Sequence, residues 1–369
     1  MRVYVNAPLP CEDKVRTLMV FATPNGNTIE QTLGSKMAEG RDWHFDIQHI
    51  AAQIRRFREI TPTEPTILAV VQAPKQSWPT YRQEYVDANQ RVKSLVEQLA
   101  KEVAATRIIL SCHSGGGSFV FGFIESADTI PTSITRIVLL DANYAYADDK
   151  QHGDKLLNWI NEEKTRRLIT IAYDDREITL NGKKVVSLTG GTFRASQRMI
   201  DRFSRDVQLT DERVGPFVHR HGLNGQIEFF IHPNPENKIL HTALVGEMNG
   251  LLLGLTLGTP QEPTWGTFGG PRAYTRWVQK APSQEIAGIR SANAPAFAER
   301  RPTLSLPPRP ADAPTGSQFA RQIDGQDRGE REAAIQKEIL RGNVPEFLRS
   351  LVPIALEAAD AQGNKHTAT

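Results

Sequence analysis

The stretch Arg107–Ile124, RIILSCHSGGGSFVFGFI, constrains this chain more than any other. An apolar β-branched run reaches Cys112-His113-Ser114-Gly115-Gly116 and passes at once into a second apolar run with helical character. A strand that turns into a helix this abruptly needs small side chains at the turn, because strand and helix approach closely there. The spacing small-x-Ser-x-Gly supplies them, with Cys112 first and Gly116 last. Such a turn strains the backbone of Ser114 and lifts its hydroxyl above the end of a sheet. It also aims a helix N-terminus at any negative charge that develops there. Two phosphate-loop readings of the same glycines fail. Position 120 is Val where a dinucleotide loop needs its third glycine, and no Gly-Lys-Ser/Thr follows. A serine ahead of a helix can also be a plain N-cap, and the motif alone leaves that open. Cys112 sits inside the strand end, where a small thiol packs rather than reacts.

The rest of the chain alternates in the same way. Strands are expected at 16–23, 65–73, 107–112, 134–141, 168–173 and 226–232. Helices are expected at 85–105, 114–127, 155–163 and 241–255; in the first of these Ala88, Val92, Leu95, Leu99 and Val103 recur three or four apart. Continuously apolar strands separated by helices predict a mostly parallel sheet covered on both faces, an α/β fold. Residues 1–280 form the expected domain, with an insertion at about 175–225 that carries a helix near 193–207. A surface tail and Pro-rich linker, including LSLPPRPADAPTG, follow over 281–316. Residues 317–369 read as a small or incomplete C-terminal segment, with a charged helix at 328–341.

Composition excludes several classes. In 369 residues, 44 Lys+Arg face 42 Asp+Glu, so no global positive field points to nucleic acid. Two cysteines, Cys11 and Cys112, cannot build a disulfide framework or a Cys-rich zinc site. No apolar run is long enough to span a membrane. The N-terminus carries Glu12, Asp13 and Lys14 and does not read as a signal peptide, so the default expectation is the cytoplasm.

A serine nucleophile needs a base and a group that orients the base. In a fold of this kind the chain order is Ser, acid, His. The strand at 168–173 ends in Asp174-Asp175, and Asp141 ends the earlier strand beside the elbow strand. Asp175 is the favoured acid, because one residue beyond the strand its carboxylate can swing across the sheet top; Asp174 would then pair locally, with Arg176. His241 follows the last strand and its loop, which makes it the expected base, with His232 as competitor. His113 is read as structural, and His219 and His221 as exposed residues of the insertion. The oxyanion donors are expected to be the backbone N–H groups of Gly115 and of Asn27, in the loop Pro24-Asn25-Gly26-Asn27.

The elbow, the chain order and the strand–helix alternation resemble the α/β-hydrolase superfamily over roughly residues 15–258. Stretches such as FATPNGNTIEQTLG and HTALVGEMNGLLLGL look like uncharacterised bacterial members. The resemblance implies Ser114 as nucleophile, Asp175 or Asp174 as acid and His241 as base. It implies a carboxylic ester as the substrate, with no cofactor and no metal. The chain departs from the common pattern at Cys112, where Gly is usual, and at Pro-Asn-Gly-Asn, where a His-Gly pair is frequent. In the insertion, Arg194, Arg198, Arg202 and Arg205 form one helical stripe. It reads as a solvated face balanced by Asp201 and Asp206, or as a lid that meets an anionic substrate. The expected partner is a small ester or acyl compound. The reading from a different class is an inactive hydrolase-fold binding protein that uses the basic insertion.

Overall fold

In this computed structural model the described residues are 1–8, 16–64, 66–279 and 290–291. In chain order the strands are β1 (Arg2–Asn6), β2 (Thr17–Ala22), β3 (Thr66–Gln72), β4 (Arg107–His113), β5 (Ile134–Leu140), β6 (Arg167–Tyr173), β7 (Thr179–Leu180), β8 (Lys183–Lys184), β9 (Thr210–Val214), β10 (Phe217–Gly222), β11 (Ile227–His232) and β12 (Arg290–Ser291). The α-helices are α1 (Ile29–Leu33), α2 (Ile50–Ile60), α3 (Trp78–Glu84), α4 (Ala88–Glu102), α5 (Gly117–Glu125), α6 (His152–Glu162), α7 (Thr192–Phe203), α8 (Ala243–Gly246) and α9 (Gly250–Thr256).

One sheet runs in the order β12-β1-β3-β2-β4-β5-β6-β11-β10-β9. From β3 to β11 every neighbouring pair is parallel, and β1, β10 and β9 add antiparallel edges. The period-two alternation of strands divides each one between two cores. In β2, Leu18, Val20 and Ala22 face a cluster with α3, α4, α5, α6 and α7. Met19 and Phe21 face the opposite cluster, with α1, α2, α8 and α9. This is an α/β architecture: a mostly parallel sheet with helices on both faces. The strand that leads into Ser114, β4, lies in its interior between β2 and β5.

Helix α5 shows why the elbow segment belongs here. It is apolar all round, GSFVFGFI, and every residue from Gly117 to Ile124 is buried. A helix of that composition is stable only when enclosed by its neighbours, and it packs against α3, α4, α6 and β4.

Two segments depart from expectation. The helix expected over 241–255 is broken into α8 and α9 by Asn249, whose backbone is left-handed at φ 62°. Its side chain donates to Thr267 O at 3.1 Å and Pro271 O at 3.0 Å and accepts from Ala273 N–H at 2.9 Å. Those bonds tie the break to the following loop, and His241 is left in a turn ahead of α8. The insertion is also more ordered into the sheet than its sequence suggested. Strands β9 and β10 extend the sheet beyond β11, and α7 buries Ala195, Met199, Ile200 and Phe203 in the core. The Pro-rich linker and the helix expected at 328–341 lie outside the described residues. No helix of the described residues is long and apolar enough to cross a membrane.

Candidate active site

Ser114 opens a single 3-10 turn, Ser114–Gly116, between β4 and α5, and its backbone is left-handed at φ 53°. Only Gly, and less often Asn or Asp, adopts that region without cost. A serine held there is strained, and such strain persists only when its surroundings impose it. The glycines that follow show how tightly they do. A Cβ on Gly116 would fall 2.4 Å from Ala22 O, and one on Gly117 would fall 1.6 Å from Ala142 O. Gly117→Ala should therefore force strand β5 away from α5. We expect it to lower stability by roughly 3 kcal/mol, read as a reduced urea midpoint with an unchanged slope. A midpoint equal to the wild type's would mean that the turn tolerates a methyl group, contrary to this packing.

The loop after β2 closes on the same turn. A Cβ on Gly115 would fall 2.1 Å from Asn25 Oδ1, so the Asn25 amide lies directly on Gly115. The Gly26 N–H is committed to Gln76 O at 2.9 Å. Asn27 is buried. Asn25 Oδ1 and Asn27 Nδ2 are buried with no hydrogen-bond partner among the described residues. Unpaired buried polar atoms are rare in native proteins, and two of them lie in the loop expected to hold an oxyanion donor.

His241 is brought to the same end of the sheet. Its Nδ1 lies 2.5 Å from Asp141 Oδ2, and its side chain remains 25% exposed while Asp141 is fully buried. The expected pairing of His241 with Asp175 is not the one the structure makes. The order β4-β5-β6 explains the difference. Asp141 follows β5, the immediate neighbour of the Ser114 strand, and its own left-handed backbone (φ 45°) turns the carboxylate over the sheet. Asp175 lies one strand farther out. Its Oδ2 accepts from Thr192 N–H at 2.8 Å, at the first turn of α7. The Thr192 hydroxyl donates to Asp141 Oδ1, so this one residue touches both carboxylates. Burial, with the Asp141 carboxylate beside it, pushes the Asp175 carboxyl up to about 6. Asp174 is held by Arg176 in a two-point contact at 2.8 and 2.6 Å.

His113 supports His241 from below. Burial, reinforced by His241, holds its imidazole well below the ordinary histidine value, so it is neutral. Gln48 Nε2 donates to its Nδ1 at 3.1 Å, which leaves Nε2–H to donate to His241 O at 3.1 Å. The two imidazole rings lie 4.5 Å apart. His232 is engaged elsewhere: its Nδ1 accepts from Asn234 N–H at 2.9 Å. Cys112 is completely buried, and burial drives its thiol far above the ordinary value. Thr192, Gln48 and Asn25 had no signal in the sequence beyond a Gly-Gly-Thr helix start and an Asn-Gly turn, because their partners come from distant segments.

Two arginines of the stripe are engaged locally. Arg202 is bound by Asp154 and Asp206, and Arg194 donates to Gly190 O at 3.1 Å. A cavity of about 230 Å³ is lined by Thr242, the residue after His241, with Met37, Trp43, Glu247 and Arg272 among others.

No known family model matches the chain, and no curated protein matches it. Among solved structures it is similar to a siderophore hydrolase from Aspergillus nidulans, at 12% identity and a TM-score of 0.37, over 68% of this chain and 88% of that one. A second siderophore hydrolase from the same organism aligns at 14% identity and a TM-score of 0.30, over 54% and 72% of the two chains. A probable hydrolytic enzyme from Pseudomonas aeruginosa PAO1 aligns at 11% identity and a TM-score of 0.35, over 69% and 88%. Overlaps this partial say nothing about what the present chain acts on.

Proposed function

We propose that the chain is a serine hydrolase of carboxylic ester or amide bonds. Ser114 is the nucleophile, His241 the base, and Asp141 the acid that orients His241. The observation that carries this reading is the left-handed Ser114 at a strand–helix turn, at the same sheet end as a His241–Asp141 pair. Three chain segments far apart in sequence supply the three groups.

With Nδ1–H donated to Asp141, Nε2 of His241 carries the lone pair and takes the proton from Ser114 Oγ as that oxygen attacks the substrate carbonyl. Asp141 accepts from Nδ1–H and stabilises the imidazolium that forms. The N–H groups of Gly115 and Asn27 receive the oxyanion, with the Asn25 amide on the pocket wall. The imidazolium then protonates the leaving alcohol or amine, and an acyl group remains on Ser114. Water, deprotonated by His241, releases it. The cavity beside Thr242 receives the part of the substrate that flanks the scissile bond; Trp43 and Met37 give it apolar surface, and Glu247 and Arg272 give it charge.

A fluorophosphonate probe tests the proposal directly. We expect stoichiometric labelling, located at Ser114 by peptide mass spectrometry and abolished by Ser114→Ala. Absence of labelling by small and large probes alike, on folded protein, would sink the assignment.

A further inference from the structure

The far edge of the sheet carries a second cluster of chemically capable side chains. In β10, His219 and His221 are two residues apart and so share one face. Across the antiparallel ladders His219 is directly opposite Glu212 of β9, and His221 directly opposite Glu228 of β11. Directly opposed residues project to the same side, so all four occupy one face of a three-stranded ribbon. The geometry points to a divalent transition-metal site there, held by Glu212, His219 and His221, with Glu228 orienting His219.

His219 carries the argument. It is 7% exposed, and its ring is stacked on Phe230 with centroids 4.1 Å apart, which fixes its orientation. Its Nε2 is bonded to Glu228, itself only 5% exposed. Its Nδ1 lies 2.8 Å from Glu212 Oε1. A neutral imidazole has one N–H, and here both ring nitrogens face carboxylates. If Nε2–H is given to Glu228, a cation must lie between Nδ1 and Glu212: a second proton or a metal ion. His221 favours the ion. It adds a third donor, and the ligand atoms of Glu212, His219 and His221 all lie within 4.8 Å of one another. Two imidazoles and a carboxylate are a donor set that suits Zn²⁺ and its neighbours. A buried carboxylate on the non-ligating nitrogen is the usual support for a ligating histidine. Bonds of about 2.0–2.1 Å require these donors to draw together slightly, and the Glu212 side chain, 56% exposed, is free to do so. An ion there would clamp β9 to β10 where the sheet ends. Sequence alone assigned no metal, because His-x-His reads as a surface pair until Glu212 and Glu228 are placed on either side.

The site is independent of the Ser114 chemistry, so its test is a binding measurement. The full chain is freed of metal with a chelator and titrated calorimetrically with ZnCl₂, with thermal melting followed in parallel. We expect one equivalent bound with a Kd below about 1 μM and a zinc-dependent rise in Tm. Glu212→Gln and His221→Gln, both at solvent-accessible positions, should each weaken binding at least about 10-fold, and so should Glu228→Gln. In the Glu212→Gln/His221→Gln double variant the equivalent should vanish. Arg220→Gln, whose partner Asp211 is outside the cluster, should bind as the wild type does. Circular dichroism confirms folding, and Glu212→Gln alone decides the matter if the double variant does not fold. No saturable equivalent up to about 100 μM zinc, or one that survives in the double variant, overturns the site in favour of a proton-bridged pair.

Discussion

Ser114→Ala is expected to lower the turnover of an activated ester by roughly 10⁴–10⁶, with the melting temperature unchanged or raised. The size follows from the role: without the Oγ no acyl-enzyme forms, and only the oxyanion donors and binding remain. The stability outcome follows from the backbone. A serine at φ 53° is strained, and alanine at the same angle costs about as much. His241→Ala should fall nearly as far, because it removes the proton acceptor. His232→Ala should stay within a few-fold of wild type, since its Nδ1 is occupied by the Asn234 N–H. Esterase activity that survives Ser114→Ala would move the nucleophile elsewhere. Equal losses in the two histidine variants would leave the base between them.

The central architecture was legible because it rests on local rules. Runs such as TLMVFA and RIILSC are apolar on both faces, which only an interior strand tolerates, and their spacing by helices dictates parallel pairing. The elbow was legible for the same reason: the demand for small residues is local. What sequence could not supply was lateral position. Asp141 and Asp175 follow strands of similar character, and nothing in either segment says which strand lies next to β4. The order β4-β5-β6 decides that, and it is set by long-range packing. Strands β9 and β10 were hidden by their composition. TDERV and FVHRHG are polar enough to read as loop; TDERV remains so as the edge strand, and FVHRHG lies just inside it, between β9 and β11. Thr192 bridging two carboxylates is a product of three segments meeting and has no signature in any one of them.

Asp141→Asn should cost about 10⁴ in rate, whereas Asp175→Asn should keep most activity. Asparagine tolerates the left-handed backbone that Asp141 requires (φ 45°), so the change tests chemistry rather than folding. An amide at position 141 can present an N–H to His241 Nδ1. That pushes the ring proton to Nε2, where it blocks the lone pair needed for Ser114. At Asp175 the requirement is different. Its Oδ2 accepts from the Thr192 N–H and, at 3.4 Å, from the Thr192 hydroxyl, and an amide oxygen also accepts. Ionising Asp175 is unfavourable in the fold, since burial and the Asp141 carboxylate hold its carboxyl at about 6. The folded protein thus holds this proton more tightly than the unfolded chain, whose carboxyl titrates near 3.9. Linkage then makes the contribution of Asp175 to stability fall as pH rises from about 4 to about 6, and stay lost above that. The difference in Tm between Asp175→Asn and wild type should grow in favour of the variant across that window and level off beyond it. A crippled Asp175→Asn beside an active Asp141→Asn would return the orienting role to Asp175. A Tm difference flat from pH 4 to pH 7 would remove the buried, repelled carboxylate from the account. The two readouts are separable, because the first asks which carboxylate His241 uses and the second asks what the other one costs.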